Sequence, residues 1–315
     1  MAARPSTAEP ARDTSVSAGD QVILRADRSH RLARRRRAGG WWTFAAFLAP
    51  SLVLLAVTRI VPLISSVAWS LDSRGGGFGA YREVLSSSAF QGSLRTTLLF
   101  NLVLNPVQIA LSLVLALVLA QQIPAAGVWR AAVLAPIAAP QVVSVIVWGV
   151  WLRPSGGLIN SFLAVFGLAP QPFLTSPYQA IWCLGLIASW IGVGYWMVFL
   201  IAGIREVPDE LLEAAALDGA SWLRQQISIV VPLIRRQLAF VLVADTVANF
   251  LLFVPVQVLT QGGPAQSTNL VMYEIYRQAY VFADQTTAAV ETVILLVIMT
   301  AIVGLQFWLL QGRRE

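Results

Sequence analysis

Lysine is absent from this chain; all 22 basic residues are arginine. That absence removes a phosphate-binding loop, whose Lys must reach the phosphates of a nucleotide, and any Schiff-base or lysine general-base chemistry. There is one histidine, His30, and one cysteine, Cys183. Neither a His/Cys metal cluster nor an internal disulfide can be assembled from them. His30 lies in an Arg-rich tail and Cys183 in an apolar run, where structural or neutral roles suffice. Charge is scarce as well, at 12% of residues against 57% apolar. The acids are scattered, with no cluster of His, Asp, Glu or Ser near one face, so no catalytic residue, no metal ligand and no enzyme is assigned. A net charge of +6 does not indicate nucleic acid, because the Arg residues gather in the first forty positions and in short loops, with no basic face alternating with exposed aromatics.

What the chain has instead is a series of apolar runs of twenty residues or more, the composition of a multi-pass membrane protein. Spans are expected near 41–70, 94–121, 128–152, 178–204, 233–259 and 286–311. Each is long enough for a hydrocarbon core of about 30 Å at about 1.5 Å per residue. Backbone groups in lipid must be satisfied internally, so runs of this length read as helices. The expected fold is all-α and integral to the membrane, with six transmembrane helices. Residues 1–40, with the run Arg34 to Arg37, read as a basic cytoplasmic tail facing anionic lipid, and 41–315 as the membrane domain. An uncleaved first span is favoured over a signal peptide, since no small-residue cleavage site closes a short apolar region.

Arginine placement orients the chain. Arg130, Arg205, Arg224, Arg235, Arg236, Arg313 and Arg314 join the tail on one side, against Arg74, Arg82, Arg95, Arg153 and Arg277 on the other, which puts both termini in the cytoplasm. Trp41, Trp42, Trp148, Trp151 and Trp308 fall near span ends as interfacial anchors. Outside, Gly75–Gly77 with Gly79 marks a loop, Arg153–Pro177 forms a second that packs on the outer rim, and Gln261–Asp284 a third with room for a short helix.

Between the fourth and fifth spans lies a polar module, residues 205–232. Pro208 suits a first helical turn, Asp209 and Glu210 place negative charge at the helix's positive end, and Gly219 supplies a left-handed stop. A short helix over about 208–217 is expected, with Ala214, Ala215 and Ala216 as a small surface and Leu211, Leu212 and Leu217 adding apolar contact. Ser221 is placed to cap a second short helix, and Pro232 marks the start of the next span. An ordinary interhelical loop is the alternative on these residues alone.

Glu213, Ala214, Ala215, then Asp218, Gly219, Ala220, then Ile229 and Pro232 resembles the cytoplasmic EAA motif of permease subunits in bacterial ATP-binding-cassette importers. Upstream, Gly157, Ile159, Asn160, Trp190, Ile191, Gly192, Ala202, Gly203, Val207 and Pro208 are similar to the run leading to this motif in carbohydrate-type permeases. Downstream, Leu259, Thr260, Gly262, Gly263, Pro264, Thr268, Tyr276 and Phe282 resemble the same subgroup, its maltose-type and glycerol-3-phosphate-type members in particular. Three features depart from the pattern. Gln226 stands where an aromatic residue is usual, Val254 where Asp is usual, and Asp284, Gln285 and Glu291 open the last span where small residues are typical.

The resemblance implies a type I importer permease in the bacterial cell membrane. It implies a second permease subunit, two ATPase subunits that bind ATP and Mg, and an extracytoplasmic solute-binding protein, with no cofactor in this chain. Leu211, Glu213, Ala214, Ala215, Asp218, Gly219 and Ala220 would then form a coupling helix and its turn, docked on an ATPase. A sugar or related polar solute is the implied cargo, glycerol 3-phosphate or its diesters the alternative.

The pathway candidates come from polarity inside spans. Asp245 lies near the middle of the fifth, where a lipid-facing carboxylate costs several kcal/mol; Asn249, four residues on, shares its helical face, and Gln257 lies farther along toward the outside. Asn105, Gln108, Gln141 and Tyr195 are weaker candidates of the same kind. Such residues serve either a solute path or a polar contact with a neighbouring subunit. A self-sufficient secondary transporter would carry inverted repeats and broken helices, and neither is visible in the sequence.

Overall fold

The computed structural model describes residues 44–71, 78–121 and 124–311. The tail with His30 and Arg34–Arg37, Trp41, Trp42, Arg74 to Gly77, Arg313 and Arg314 lie outside the described residues. Among the described residues every regular element is helical.

The chain divides into two units, Met1–Ile64 and Ser65–Glu315. The described part of the first is a stretch of α1 (Phe44–Leu71), an apolar helix of 28 residues. The second unit begins with the last turns of α1, where the Ser70 hydroxyl lies 2.7 Å from the Tyr81 hydroxyl. Tyr81 belongs to α2 (Gly79–Ser86), a helix in the region expected to be loop. It then contains α3 (Ser88–Leu119), α4 (Ala126–Ala138), α5 (Gln141–Trp151), α6 (Leu158–Val165) and α7 (Ala180–Ile204). The polar module supplies α8 (Asp209–Leu217) and α9 (Trp222–Leu233). The last elements are α10 (Arg235–Phe250), α11 (Val271–Tyr276) and α12 (Gln285–Gln311).

Four helices, α1, α3, α7 and α12, are long and apolar enough to cross a membrane unbroken. Two expected spans are not straight. The third is α4 and α5 meeting at 96°. Pro140 cannot donate to a helix and drives the preceding Ala139 to extended geometry, φ −86°, ψ 141°. The fifth, expected as one helix over 233–259, is α9 and α10 meeting at 73° at Ile234. It ends at Phe250, and Val256–Thr260 is a separate wide turn behind Pro255. The second span starts at Ser88, six residues earlier than expected, with the Ser87 hydroxyl accepting from the Phe90 amide at 3.5 Å.

α3 packs along α7, and α10 packs against α3, α7 and α12. Phe100 and Leu104 of α3 meet Leu184 and Ala188 of α7 at one level. Ala116 and Leu119 meet Met197, Leu200 and Val241 at another. Lipid tails are as apolar as these side chains, so contact of this kind rests on close fit more than on water exclusion. Gly194 shows how close: a Cβ there would lie 2.3 Å from the Val133 carbonyl oxygen of α4.

The outer loops hold more structure than expected. Asn160 on α6 clasps the second, its amide nitrogen donating to the Pro154 and Gln171 carbonyls at 3.0 and 2.8 Å and its oxygen accepting from the Gln171 amide at 2.8 Å. In the third, α11 is the short helix foreseen, prolonged by a wide turn over Arg277–Val281.

Candidate functional site

The first candidate site is α8. Pro208 sits at the N-cap in extended geometry, one position before the first helical turn, and Asp209 and Glu210 occupy that turn. The stop is a full Schellman motif: the Ala220 amide donates to the Ala215 carbonyl at 2.9 Å, and the Gly219 amide to the Ala216 carbonyl at 3.0 Å. Gly219 takes φ +79°, the left-handed region that L side chains resist. Ser221 holds the N-cap position of the next helix but its side chain makes no capping bond, and Pro232 lies inside α9 instead of opening a span.

No residue of α8 is buried. Glu213, Ala214 and Asp218 are exposed, Ala215 and Ala220 half-buried, and Leu217 is 90% exposed. Leu211, Trp222, Leu223 and Ile227 extend this exposed apolar surface. Leu212 faces back into a cavity of about 510 Å³ at the root of the helix, shared with Arg205, Asp209 and Gln226.

The second candidate site is a cavity of about 280 Å³ between the middles of α3, α7 and α10. Asp245 and Asn249 line it from α10, Gln108 from α3, and Tyr195 and Trp196 from α7. Ile137 and Gln141 line it from the two sides of the α4–α5 break. A broken helix at membrane depth is tolerated where its freed backbone groups border a polar cavity. Five of the sequence candidates, Asp245, Asn249, Gln108, Gln141 and Tyr195, thus line one cavity.

Asp245 is 1% exposed, and the Trp196 indole nitrogen donates to its Oδ1 at 2.6 Å. The Gln108 amide has its partners matched when its oxygen accepts from Ser189 at 3.1 Å and its nitrogen donates to Asp245 Oδ1 at 2.8 Å. Asn105 stands behind the wall, donating to Thr246 at 3.0 Å while its oxygen accepts from Asn249 at 2.8 Å. Gln257 is not part of this group; it lies in the turn after Pro255, and its Oε1 has no hydrogen-bond partner.

Sequence reasoning missed most of the scaffold. Ser93, Thr97, Asn101, Asn105, Gln108 and Ser112 form one buried polar stripe on α3. The Val271 amide donates to Thr97 at 2.9 Å, and the Ser112 hydroxyl donates to the Val193 carbonyl at 3.1 Å. Gln306 of α12 donates to Thr246 at 2.9 Å. The signal was available: spacings of three and four residues put all six on one helical face.

The multi-helix body thus carries a largely apolar cavity with a few polar side chains at mid-span, and an exposed helix with a Schellman stop in the polar module. The sequence profile of the family described as binding-protein-dependent transport system inner membrane component matches residues 26–315. The chain belongs to this family.

It is therefore an inner-membrane transport component, and no enzyme. Among relatives of this inner membrane component, the sn-glycerol-3-phosphate transport system permease protein UgpA of Agrobacterium fabrum is 30% identical over 275 residues, covering 84% of this chain and 94% of that one. The protein of the same description from Pectobacterium atrosepticum is 28% identical over 275 residues, covering 84% and 93%. A solved bacterial ABC transporter involved in the import of the acidic polysaccharide alginate superposes with a TM-score of 0.78 at 20% identity, covering 90% of this chain and 100% of that one. The likeness gives the fold of the inner membrane component, that of a type I importer permease.

Proposed function

We propose that this chain is one of two permease subunits of an ATP-driven importer for a sugar or a related polar solute. It lies in a bacterial cell membrane, its termini and α8 in the cytoplasm. A binding protein delivers solute outside, and two ATPase subunits hold ATP and Mg inside. Glu213 orients α8 by polar contact with an ATPase, Ala214 and Ala215 allow close docking, Leu211 adds apolar contact, and Asp218, Gly219 and Ala220 make the turn into α9. ATPase closure then moves α8, and the spans alternate between inward-facing and outward-facing states.

The observation that carries this reading is α8 itself, a capped helix with no buried residue and an apolar tip in Leu217. The cavity bordered by Asp245, Asn249, Gln141 and Tyr195, backed by Asn105, is this subunit's part of the solute path. Glycerol 3-phosphate or its diesters are a second reading of the cargo, favoured by the relatives of that description.

The test is purification of the tagged chain from native membranes, identification of what accompanies it, and ATPase assay beside Glu213→Ala. A P-loop ATPase, a second permease and a binding protein in the preparation, with ATPase activity uncoupled from transport by the substitution, support the importer. A chain that purifies alone and moves solute without ATP is a secondary transporter.

A further inference from the structure

The one ionisable acid or base among the described residues lining the central cavity is the Asp245 carboxyl, besides the Tyr195 phenol, and no arginine lines it. The Trp196 indole N–H donates to that carboxyl, and the Gln108 amide donates to it in the orientation in which its oxygen accepts from Ser189. The nearest positive feature is the start of α5 at Gln141, worth about half an elementary charge. That is less than the carboxylate supplies. Full cations sit elsewhere. Arg95 and Arg277 border a separate cavity of about 970 Å³ at the end of α3 away from α8, and Arg277 is tied to Glu274 at 3.0 Å. Gln108 is thirteen residues along α3 from Arg95, about 20 Å, beyond about 10 Å of screening length at 0.1 M salt.

From this distribution we infer that Asp245 makes this subunit's wall of the path a charge filter: it admits neutral and amine-bearing hydroxyl compounds and rejects phosphate esters and other anions. The inference rests on the cavity being part of the solute path, and of the two cargo readings it selects the uncharged one. A unit anion held beside Asp245 in a partly desolvated cavity binds weaker by a factor on the order of 100 than its neutral counterpart. Hydroxyl groups, by contrast, find acceptors in Asp245 and both donors and acceptors in Asn249 and Gln141, with the Tyr195 ring beside them.

The potential in the cavity is measurable without knowing the cargo. Ala248 lines the cavity one turn from Asp245 and is exposed, and Cys183 is buried away from that wall. Ala248→Cys is introduced into the assembled transporter in membranes on a Cys183→Ala background. Its rates with cationic, neutral and anionic methanethiosulfonates are then compared with those of a free thiol. The cationic-to-anionic rate ratio is expected to exceed that of the free thiol by about 10- to 100-fold, and to fall to the free-thiol value in Asp245→Asn. Equal ratios with Asp245 and Asn overturn the filter, as does a cysteine that even the neutral reagent does not reach. Loss of ATP dependence in transport would refute the importer reading and leave these rates unchanged, so the two failures are distinguishable.

Discussion

Trp196 and Asp245 meet across the α7–α10 interface through an indole N–H that reaches the carboxylate at 2.6 Å. The bond fixes the carboxylate's orientation on the cavity wall. Trp196→Phe keeps an aromatic ring but removes the donor and part of the indole's volume, and should destabilise the subunit by about 1–3 kcal/mol, the usual range for leaving a buried polar group without its partner. Thermal unfolding of the purified complex reads this directly, and Asp245→Asn combined with Trp196→Phe should lose less than the sum of the two single changes.

Asn105 is a bridge between helices. Asn105→Leu removes the donor to Thr246 and the acceptor for Asn249 at once, taking one hydrogen-bond partner from each. The expected loss is about 1–3 kcal/mol, seen as a lower unfolding temperature, with a larger effect than the exposed Gln91→Leu on the same helix.

Gly194→Ala places a methyl group 2.3 Å from the Val133 carbonyl oxygen. The backbone cannot yield as a flexible side chain would, so α4 must shift from α7. A loss of about 1–3 kcal/mol is expected for overpacking. Gly127→Ala, whose new Cβ would meet nothing within 4 Å, should be neutral in the same unfolding assay.

Gly219→Ala tests the turn after α8. At φ +79° a Cβ is strained by about 1–2 kcal/mol even though the surrounding space is open. The spans should remain folded while solute-stimulated ATPase activity of the assembled transporter falls severalfold, with Gly219→Asn retaining more activity than Gly219→Ala because Asn tolerates the left-handed region.

The sequence carried most of the architecture because apolar length and punctuation are local properties. Six apolar runs, the Pro208 entry turn and the Gly219 stop were all readable without knowing any contact. The breaks were less so: Pro140 lies in an apolar run, where neighbouring helices can rescue a proline, and only packing decides that Ala138 and Gln141 flank a 96° bend. Of the cavity, Asp245 and Asn249 were legible because a carboxylate and an amide in a span demand company. Trp196 was not, since an indole in a membrane helix has the interface anchor as its ordinary reading. Gln257 stands apart from Asp245 and Asn249 because α10 stops at Phe250, before the chain reaches it.

The hydrogen bond from Asn105 to Thr246 joins residues 141 positions apart. At about 5–20 residues per second of synthesis, roughly 7–28 s separate their emergence from the ribosome. Through that interval α3 carries amides and hydroxyls whose partners on α10 do not yet exist, so lipid is a poor place for it to wait. The buried polar stripe thus imposes a schedule on biogenesis, and the insertion machinery must shelter α3 until the fifth span arrives.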